Sequence, residues 1–137
     1  MTSRLNPYIS FNGNAREAME FYRSVFGGEL VVNTYADFGN PDASVAELVM
    51  HGQLETPAGY TLMGADLMPG MPVTSGSTIT VSLSGDDDDE LRTYFEKLAE
   101  GGTITYPLDK QVWGAEYGQL TDRYGVAWMV NLSPAQG

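Results

Sequence analysis

Apolar side chains recur at intervals of three and four residues in two stretches of the chain, and a pair of glycines follows each stretch. The first stretch ends at Gly27-Gly28 and the second at Gly101-Gly102. This spacing is typical of one face of an α-helix, and glycine commonly ends a helix. We therefore predict two helices, with apolar faces made of Ala15, Ala18, Met19, Tyr22, Val25 and Phe26 and of Leu91, Tyr94, Phe95 and Leu98.

Both predicted helices begin with recognisable polar residues. Asn14 followed by Glu17 has the spacing of a capping box, so the first helix is predicted over 14–26. The acidic run from Asp86 to Glu90 precedes the second helix, where negative charge complements the N-terminal end of the helix dipole. The run lacks the alternating ligands and central glycine of an EF-hand calcium loop.

Alternation of apolar and polar residues predicts strands on either side of each helix. Each half of the chain then contains one strand, one helix and three further strands. In the first half, strands are predicted around Ile9 and Phe11 and over 29–35, 45–55 and 60–65. In the second half, they are predicted over 78–84, 103–106, 116–121 and 126–132.

The two halves repeat the same order of elements, which indicates two copies of one module. We predict a single domain over 1–137, composed of a first βαβββ module over 1–67 and a second over 77–137. The proline-rich and glycine-rich segment from Met68 to Gly76 links the modules, because proline cannot continue a strand ladder.

Composition narrows the class of protein. The 137 residues include no cysteine, which excludes disulfides, thiolate zinc sites and a cysteine nucleophile. A formal net charge of −11 opposes binding to a phosphate backbone, so we expect no nucleic-acid partner. No apolar stretch is long enough to span a membrane, and no signal peptide is visible at the N-terminus. We expect a cytoplasmic protein without a membrane partner.

Several short motifs along nearly the whole chain resemble one known family. They are Asn6-Pro7-Tyr8-Ile9-Ser10-Phe11, the segment from Asn14 to Tyr22, Phe26-Gly27-Gly28, His51-Gly52-Gln53-Leu54, Leu62-Met63 with Asp66, Pro69-Gly70-Met71, Leu83-Ser84-Gly85-Asp86, the segment from Trp113 to Gly118, and Asp122-Arg123-Tyr124-Gly125 with Trp128. These motifs resemble PhnB-like proteins of the glyoxalase, bleomycin-resistance and dioxygenase superfamily, also called the vicinal oxygen chelate fold.

The resemblance implies an α+β fold in which two βαβββ modules form a curled mixed sheet, with the helices outside and a ligand site in the hollow. It also implies a homodimer. Some relatives carry the label of a demethylubiquinone methyltransferase. This chain has no glycine-rich turn between a strand and a helix that would hold a nucleotide cofactor, so we do not adopt that activity and expect no cofactor.

Metal-dependent members of the superfamily take ligands from the first and last strands of each module. By strand phase, these positions lie near Asn6, Met63, Thr78 and Met129 in this chain. Thioether and methyl-bearing side chains do not replace the imidazole and carboxylate ligands that a borderline divalent ion prefers. We therefore expect no metal site at these positions.

His51 is the only histidine, so imidazole acid–base chemistry depends on it alone. The strand phase places His51 with Glu47, Gln53 and Glu55 on a polar face, which we expect to line the hollow. Glu47 and Glu55 are too far along the strand to contact His51 together, so Asp66 or Glu116 is the expected cross-strand partner. The alternatives are a histidine that only completes a hydrogen-bond network and carboxylates that only contact solvent.

Further candidate residues lie on the first strand and in a glycine-flanked segment. Trp113, Glu116 and Tyr117 are flanked by Gly114 and Gly118, which suggests a loop that closes over a ligand. The alternative is aromatic packing at the rim of the fold. Two more side chains share the polar phase of the first strand and are expected to face the hollow or merely to fill it: Tyr8 and Ser10.

Two functions remain open at this point. The first is a protein that binds a small molecule through Tyr8, Ser10, His51, Gln53, Asp66, Trp113 and Tyr117. The second is a metal-dependent or histidine-assisted enzyme, of lyase, isomerase or dioxygenase type, in which His51 and Glu116 are the catalytic residues. The poor metal ligands at the family positions favour binding.

Overall fold

The computed structural model describes residues 5–71, 79–112 and 114–133, and the chain divides into two compact units, Met1–Thr74 and Ser75–Gly137. In the first unit, strand β1 (Tyr8–Phe11) leads into helix α1 (Ala15–Phe26) and strand β2 (Glu29–Thr34). A short 3-10 turn over Ala36–Phe38 precedes strands β3 (Val49–Glu55) and β4 (Thr61–Asp66).

The second unit repeats this order. Strand β5 (Val81–Gly85) is followed by helix α2 (Asp88–Ala99) and by strands β6 (Thr103–Lys110), β7 (Glu116–Thr121) and β8 (Ala127–Leu132). Strand β6 continues past its predicted end at Tyr106, and Thr78, the predicted start of β5, lies outside the described residues. The predicted helices are confirmed in type and position.

Each unit contains one four-stranded mixed sheet. The strand orders are β1-β4-β3-β2 and β5-β8-β7-β6. In both sheets the first strand of the unit pairs in parallel with the last, and the other two pairings are antiparallel. The predicted α+β class and the βαβββ element order are therefore confirmed.

Helix α1 covers one face of the first sheet, and two glycines make room for it. Gly52 and Gly64 are paired across β3 and β4, and a Cβ atom on either would meet the side chain of Met19 at 3.5 or 3.1 Å. Met19 is fully buried at this point. The close approach of helix and sheet therefore requires that Gly52 and Gly64 carry no side chain.

The second glycine of each glycine pair lies against the end of a strand. A Cβ atom on Gly28 would overlap the carbonyl oxygen of Glu55, and one on Gly102 would overlap that of Thr121. The first glycines, Gly27 and Gly101, have positive φ values of 75°. In each pair, the first glycine thus allows the turn out of the helix. The second glycine lies so close to the strand backbone that a side chain would not fit there.

The two helices start in different ways. Asn14 makes no side-chain capping hydrogen bond, so the predicted capping box is wrong. The backbone N–H of Ala15 is instead bound by the carboxylate of Asp66, 2.9 Å away and 51 residues later in the sequence. In α2, the Asp87 side chain accepts a hydrogen bond from the backbone N–H of Glu90 at 3.1 Å, and the acidic run lies at the helix N-terminus as predicted.

Strand β3 begins at Val49, so the prediction of a strand from Val45 is wrong for its first four residues. Those residues form turns, in which the backbone N–H groups of Val45 and Leu48 bind the carbonyl oxygens three residues earlier. Just before them, the Asp42 side chain accepts hydrogen bonds from the Oγ and the backbone N–H of Ser44 at 2.7 and 2.9 Å. These bonds favour the ionised carboxylate and hold the pKa of Asp42 below its ordinary value. Turn chemistry therefore outweighs the alternating pattern here.

No helix in the described ranges is long and apolar enough to cross a membrane.

Candidate functional site

The face of the first sheet that is turned away from α1, here called the far face, carries most of the polar side chains of the four strands. Strand register sets them out in rows. One row across the four strands is Tyr8, Met63, Gln53 and Val31. The adjacent positions are Ser10, Ala65, His51 and Asn33 on one side of this row, and Thr61, Glu55 and Glu29 on the other.

His51 belongs to a chain of hydrogen bonds along the far face. Its Nε2 lies 3.4 Å from Oε1 of Gln53, and Nε2 of Gln53 donates to Oε1 of Glu55 at 2.7 Å. The hydroxyl of Thr61 donates to Oε2 of Glu55 at 3.0 Å. Among the described residues, His51 therefore reaches a carboxylate only through Gln53, whereas the sequence predicted a direct carboxylate partner.

These hydrogen bonds match one tautomer of a neutral His51. An ionised Glu55 can only accept hydrogen bonds, so it takes the N–H group of Gln53 and leaves the amide oxygen for the imidazole. A neutral imidazole that donates to this oxygen through Nε2 keeps Nδ1 as a hydrogen-bond acceptor. No other described residue forms a hydrogen bond with His51. The site therefore offers an unpaired acceptor.

Tyr8 contributes an aromatic wall beside His51. The two ring centroids are 5.9 Å apart with an interplanar angle of 35°, and the Tyr8 side chain is 54% exposed. Ser10, two residues further along β1, is exposed on the same face. Imidazole, phenol, hydroxyl and amide groups are thus presented together on the far face.

The sequence predicted the polar side of β3 but misassigned part of its apolar side. Alternation counted back from Leu54 places Met50 on the buried side and Val49 on the polar side, whereas Met50 is half-buried and Val49 is 1% exposed. The cause is an irregularity in the β2–β3 pairing, in which Asn33 faces His51 and Thr34 faces Val49, so Met50 has no partner. An extra residue of this kind moves every preceding side chain to the other face.

Asp66 does not lie on the far face, so its predicted role as the partner of His51 or as a ligand-binding residue is not met. Its side chain is 5% exposed and shares the helix side of β4 with Leu62. Its two carboxylate oxygens accept hydrogen bonds from the backbone N–H groups of Ala15 and Val49, each at 2.9 Å. Asp66 therefore fixes the start of α1 and the irregular start of β3.

The second sheet has a far face of similar design. The hydroxyl of Tyr117 accepts a hydrogen bond from Gln119 and lies 4.0 Å from Sδ of Met129. Tyr106 meets Tyr117 edge-on, with ring centroids 5.8 Å apart. Across from Tyr117, the buried Oδ1 of Asn131 has no hydrogen-bond partner among the described residues.

A repeated tetrapeptide produces the likeness of the two far faces. His51-Gly52-Gln53-Leu54 in β3 corresponds to Tyr117-Gly118-Gln119-Leu120 in β7. In both, the aromatic side chain is hydrogen-bonded to the glutamine two residues later. The glutamine is paired in the strand register with a methionine of the last strand of its unit, Met63 or Met129. Sequence reasoning missed Gln119 as a site residue, although this repeat was the signal that could have found it.

Glu116 and Tyr117 are consecutive residues of β7, so their side chains point to opposite faces. The carboxylate of Glu116 forms an ion pair with Arg92 of α2, which also binds Asp88 at 3.0 Å. The hydrogen bond to Asp88 is the main cause that raises the pKa of Arg92. Glu116 thus ties strand to helix, contrary to its predicted place at a ligand site. Trp113 lies outside the described residues.

The positions implied for metal ligands do not fit a divalent ion. Met63 and Met129 offer only thioethers, at positions directly across from Gln53 and Gln119 in the strand register, and Thr78 lies outside the described residues. A borderline ion such as zinc prefers imidazole and carboxylate ligands. Within the described part of the chain, no three histidine, aspartate or glutamate side chains are grouped as metal ligands.

The helix N-termini do not fit the phosphate or carboxylate of a nucleotide cofactor either. The N–H of Ala15 at the start of α1 is already bound by the buried Asp66 carboxylate. The first turn of α2 carries Asp88, Asp89 and Glu90, which repel an anion. The two positive helix ends that commonly bind such groups are therefore occupied or shielded by carboxylates.

Comparisons with known proteins place the chain in a family. Residues 3–131 match the family described as 3-demethylubiquinone-9 3-methyltransferase. The chain is 30% identical to a putative 3-demethylubiquinone-9 3-methyltransferase, PhnB protein, from Bacillus cereus, with a TM-score of 0.73 over 96% of this chain and 100% of the other. The chain belongs to the PhnB-like family.

Two further relatives of this PhnB-like chain span almost its full length. The crystal structure of protein PA1353 from Pseudomonas aeruginosa is 36% identical, with a TM-score of 0.86 over 98% of this chain and 100% of the other. Protein YjdN of Escherichia coli (strain K12) is 29% identical over 148 residues, covering 96% of this chain and 97% of that protein.

The fold extends to more distant proteins. A glyoxylase/bleomycin resistance protein/dioxygenase domain from Frankia sp. EAN1pec shares 15% identity and a TM-score of 0.68, over 100% of this chain and 96% of the other. At this identity the likeness shows the fold alone. The PhnB-like chain thus shares its fold with a glyoxylase/bleomycin resistance protein/dioxygenase domain.

Proposed function

We propose that the far face of the first sheet binds a small organic molecule through Tyr8, Ser10, His51 and Gln53. The observation that carries this proposal is the unpaired Nδ1 acceptor of His51, held in place by Gln53 and bordered by the exposed ring of Tyr8. A ligand that stacks on the Tyr8 ring and donates a hydrogen bond to Nδ1 would satisfy both groups.

The charge of the far face favours a neutral or positively charged ligand. Glu29 and Glu55 are directly opposite each other on β2 and β3, and neither Lys nor Arg occurs among the described far-face residues of the first sheet. The whole chain carries a net charge of −11. A phosphate or phosphonate group would therefore be repelled here, whereas an amine or hydroxyl group would be accepted.

We propose binding rather than catalysis because the described residues do not supply the metal ligands or the cofactor site that the metal-dependent reactions and the methyltransferase reaction need. Methionines occupy two positions implied for metal ligands, and the helix N-termini already hold carboxylates. The roles predicted for Trp113 and Tyr117 at the ligand site remain predictions. We also propose that the protein works as a homodimer, as the family resemblance implies.

A matched series of small aromatic probes tests the proposal. Benzylamine, benzyl alcohol and benzylphosphonate share one ring and differ in charge. Because His51 is the only histidine, its ring resonances in an NMR spectrum of untagged protein report on the site without ambiguity. We expect benzylamine and benzyl alcohol to shift these resonances in a saturable manner, and benzylphosphonate to leave them unchanged.

Variants on the two faces of the unit make the test specific. Tyr8→Ala and Gln53→Leu should abolish the saturable shift, because they remove the stacking surface and the group that orients His51. Glu20→Gln, on the exposed side of α1, changes charge without touching the far face and should leave the shift intact. Equal responses to all three probes, or a response that survives Tyr8→Ala and Gln53→Leu, would overturn the proposal.

A further inference from the structure

Asn12 lies in the turn that connects β1 to α1 and is followed by glycine. Both Asn12 and Gly13 are exposed, and Gly13 has a φ of 88° with no neighbouring atom within 4 Å of the place where a Cβ atom would stand. Neither residue forms a hydrogen bond with any described residue. The backbone nitrogen of Gly13 therefore has no hydrogen-bond partner among the described residues, and the residue that carries it is exposed.

The other asparagines differ from Asn12 at the residue that follows them. Pro7 and Pro41 follow Asn6 and Asn40 and have no N–H group. The backbone nitrogens after Asn14 and Asn33 are hydrogen-bonded to the carboxylates of Asp66 and Asp37, at 2.9 and 2.8 Å. Leu132, after Asn131, lies in β8 between two paired strands.

We propose that Asn12 is a site of spontaneous deamidation in the folded protein. The deprotonated backbone nitrogen of Gly13 attacks Cγ of Asn12 and forms a new C–N bond, while the bond to Nδ2 breaks and ammonia leaves. Water then opens the resulting succinimide at either carbonyl carbon, which gives aspartate or isoaspartate. The reaction needs no reagent other than water and base, and the absence of a Cβ on residue 13 removes the main steric barrier.

The product changes the connection between the candidate site and its supporting helix. Isoaspartate adds one carbon to the backbone directly after Phe11, whose carbonyl oxygen accepts a hydrogen bond from Leu67 at 2.8 Å. It also adds a negative charge two residues before Asn14. Deamidation therefore alters the link between the strand that carries Tyr8 and Ser10 and helix α1.

Peptide mapping after incubation of the untagged protein in mildly alkaline buffer tests the proposal. Cleavage after Arg4 and Arg16 releases one peptide that contains both Asn12 and Asn14, so Asn14, also exposed, is an internal control. Fragment-ion mass spectra should place the mass gain of deamidation on Asn12, with an isoaspartate-specific fragment, while Asn14 stays unmodified. Circular dichroism recorded during the incubation verifies that the protein remains folded.

Two comparisons make the result decisive. A synthetic peptide of residues 5–16 gives the rate without the fold, and Asn12→Gln removes the reactive five-membered geometry and should suppress the reaction. Deamidation at Asn12 at a rate comparable to that of the peptide supports the proposal. An Asn12 that stays intact in folded protein while the peptide reacts, or an equal gain at Asn14, overturns it.

Discussion

The carboxylate of Asp66 at the end of β4 accepts a hydrogen bond from the backbone N–H of Val49 at 2.9 Å. Its other oxygen accepts one from Ala15. One buried side chain thus joins the start of α1 to the start of β3, on the opposite side of the sheet from His51. The irregular pairing that lies next to His51, at the start of β3, is stabilised from the other side of the sheet by this aspartate.

Removal of the Asp66 carboxylate should destabilise the first unit strongly. Asp66→Ala leaves two buried N–H groups without their acceptor, at about 1–3 kcal/mol each, so we expect the free energy of unfolding to fall by about 2–6 kcal/mol in urea titrations. Asp42→Ala is a matched control, because exposed Asp42 also accepts a backbone N–H but water can replace it. Equal losses in the two variants would contradict this assignment.

Trp128 and Asp122 form the corresponding buried polar contact in the second unit. The indole Nε1 donates to Oδ2 of Asp122 at 2.9 Å, and Oδ1 accepts from the backbone nitrogens of Tyr124 and Val126 at 2.8 and 3.1 Å. Trp128→Phe should cost about 1–3 kcal/mol, and Asp122→Ala should cost more because it removes the acceptor of all three bonds. Urea titration ranks the variants, and the reverse order would show that the turn does not depend on Asp122.

The second glycine of each glycine pair should tolerate no side chain. Gly28→Ala and Gly102→Ala place a methyl group on the carbonyl oxygens of Glu55 and Thr121, so we expect losses of about 3 kcal/mol or more, or failure to fold. Gly59→Ala serves as the control, because its φ is positive but no atom lies within 4 Å, and it should lose only about 1 kcal/mol. Thermal unfolding of the purified variants provides the comparison.

The homodimer is testable by light scattering. Each sheet ends in edge strands, β1 and β2 in one and β5 and β6 in the other, and unpaired strand edges favour contact with another chain or segment. We expect a mass close to twice 14.9 kDa across a wide concentration range. A mass of one chain at every concentration would refute the dimer.

The sequence by itself determined the elements whose signals are local. Apolar spacing defined both helices, because a helix face repeats every 3.6 residues whatever it packs against. The acidic run before Leu91 correctly marked the start of α2, since its Asp87 cap lies three residues from the N–H group it binds. Alternation along β3 correctly placed the side chains of Gln53 and Leu54 on different faces of the sheet, because successive strand residues point to opposite faces.

Tertiary structure decided the features that depend on residues distant in sequence. Asp66 and Glu116 were predicted from the sequence to be carboxylates of the ligand site. Asp66 instead binds the backbone N–H of Ala15, 51 positions away, and Glu116 pairs with Arg92 on helix α2. The phase of Met50 depended on an irregular pairing with β2, which alternation along one strand does not contain. The partner of a carboxylate depends on strand register and on helix packing. Neither the register nor the packing can be deduced from the residues next to the carboxylate in the sequence.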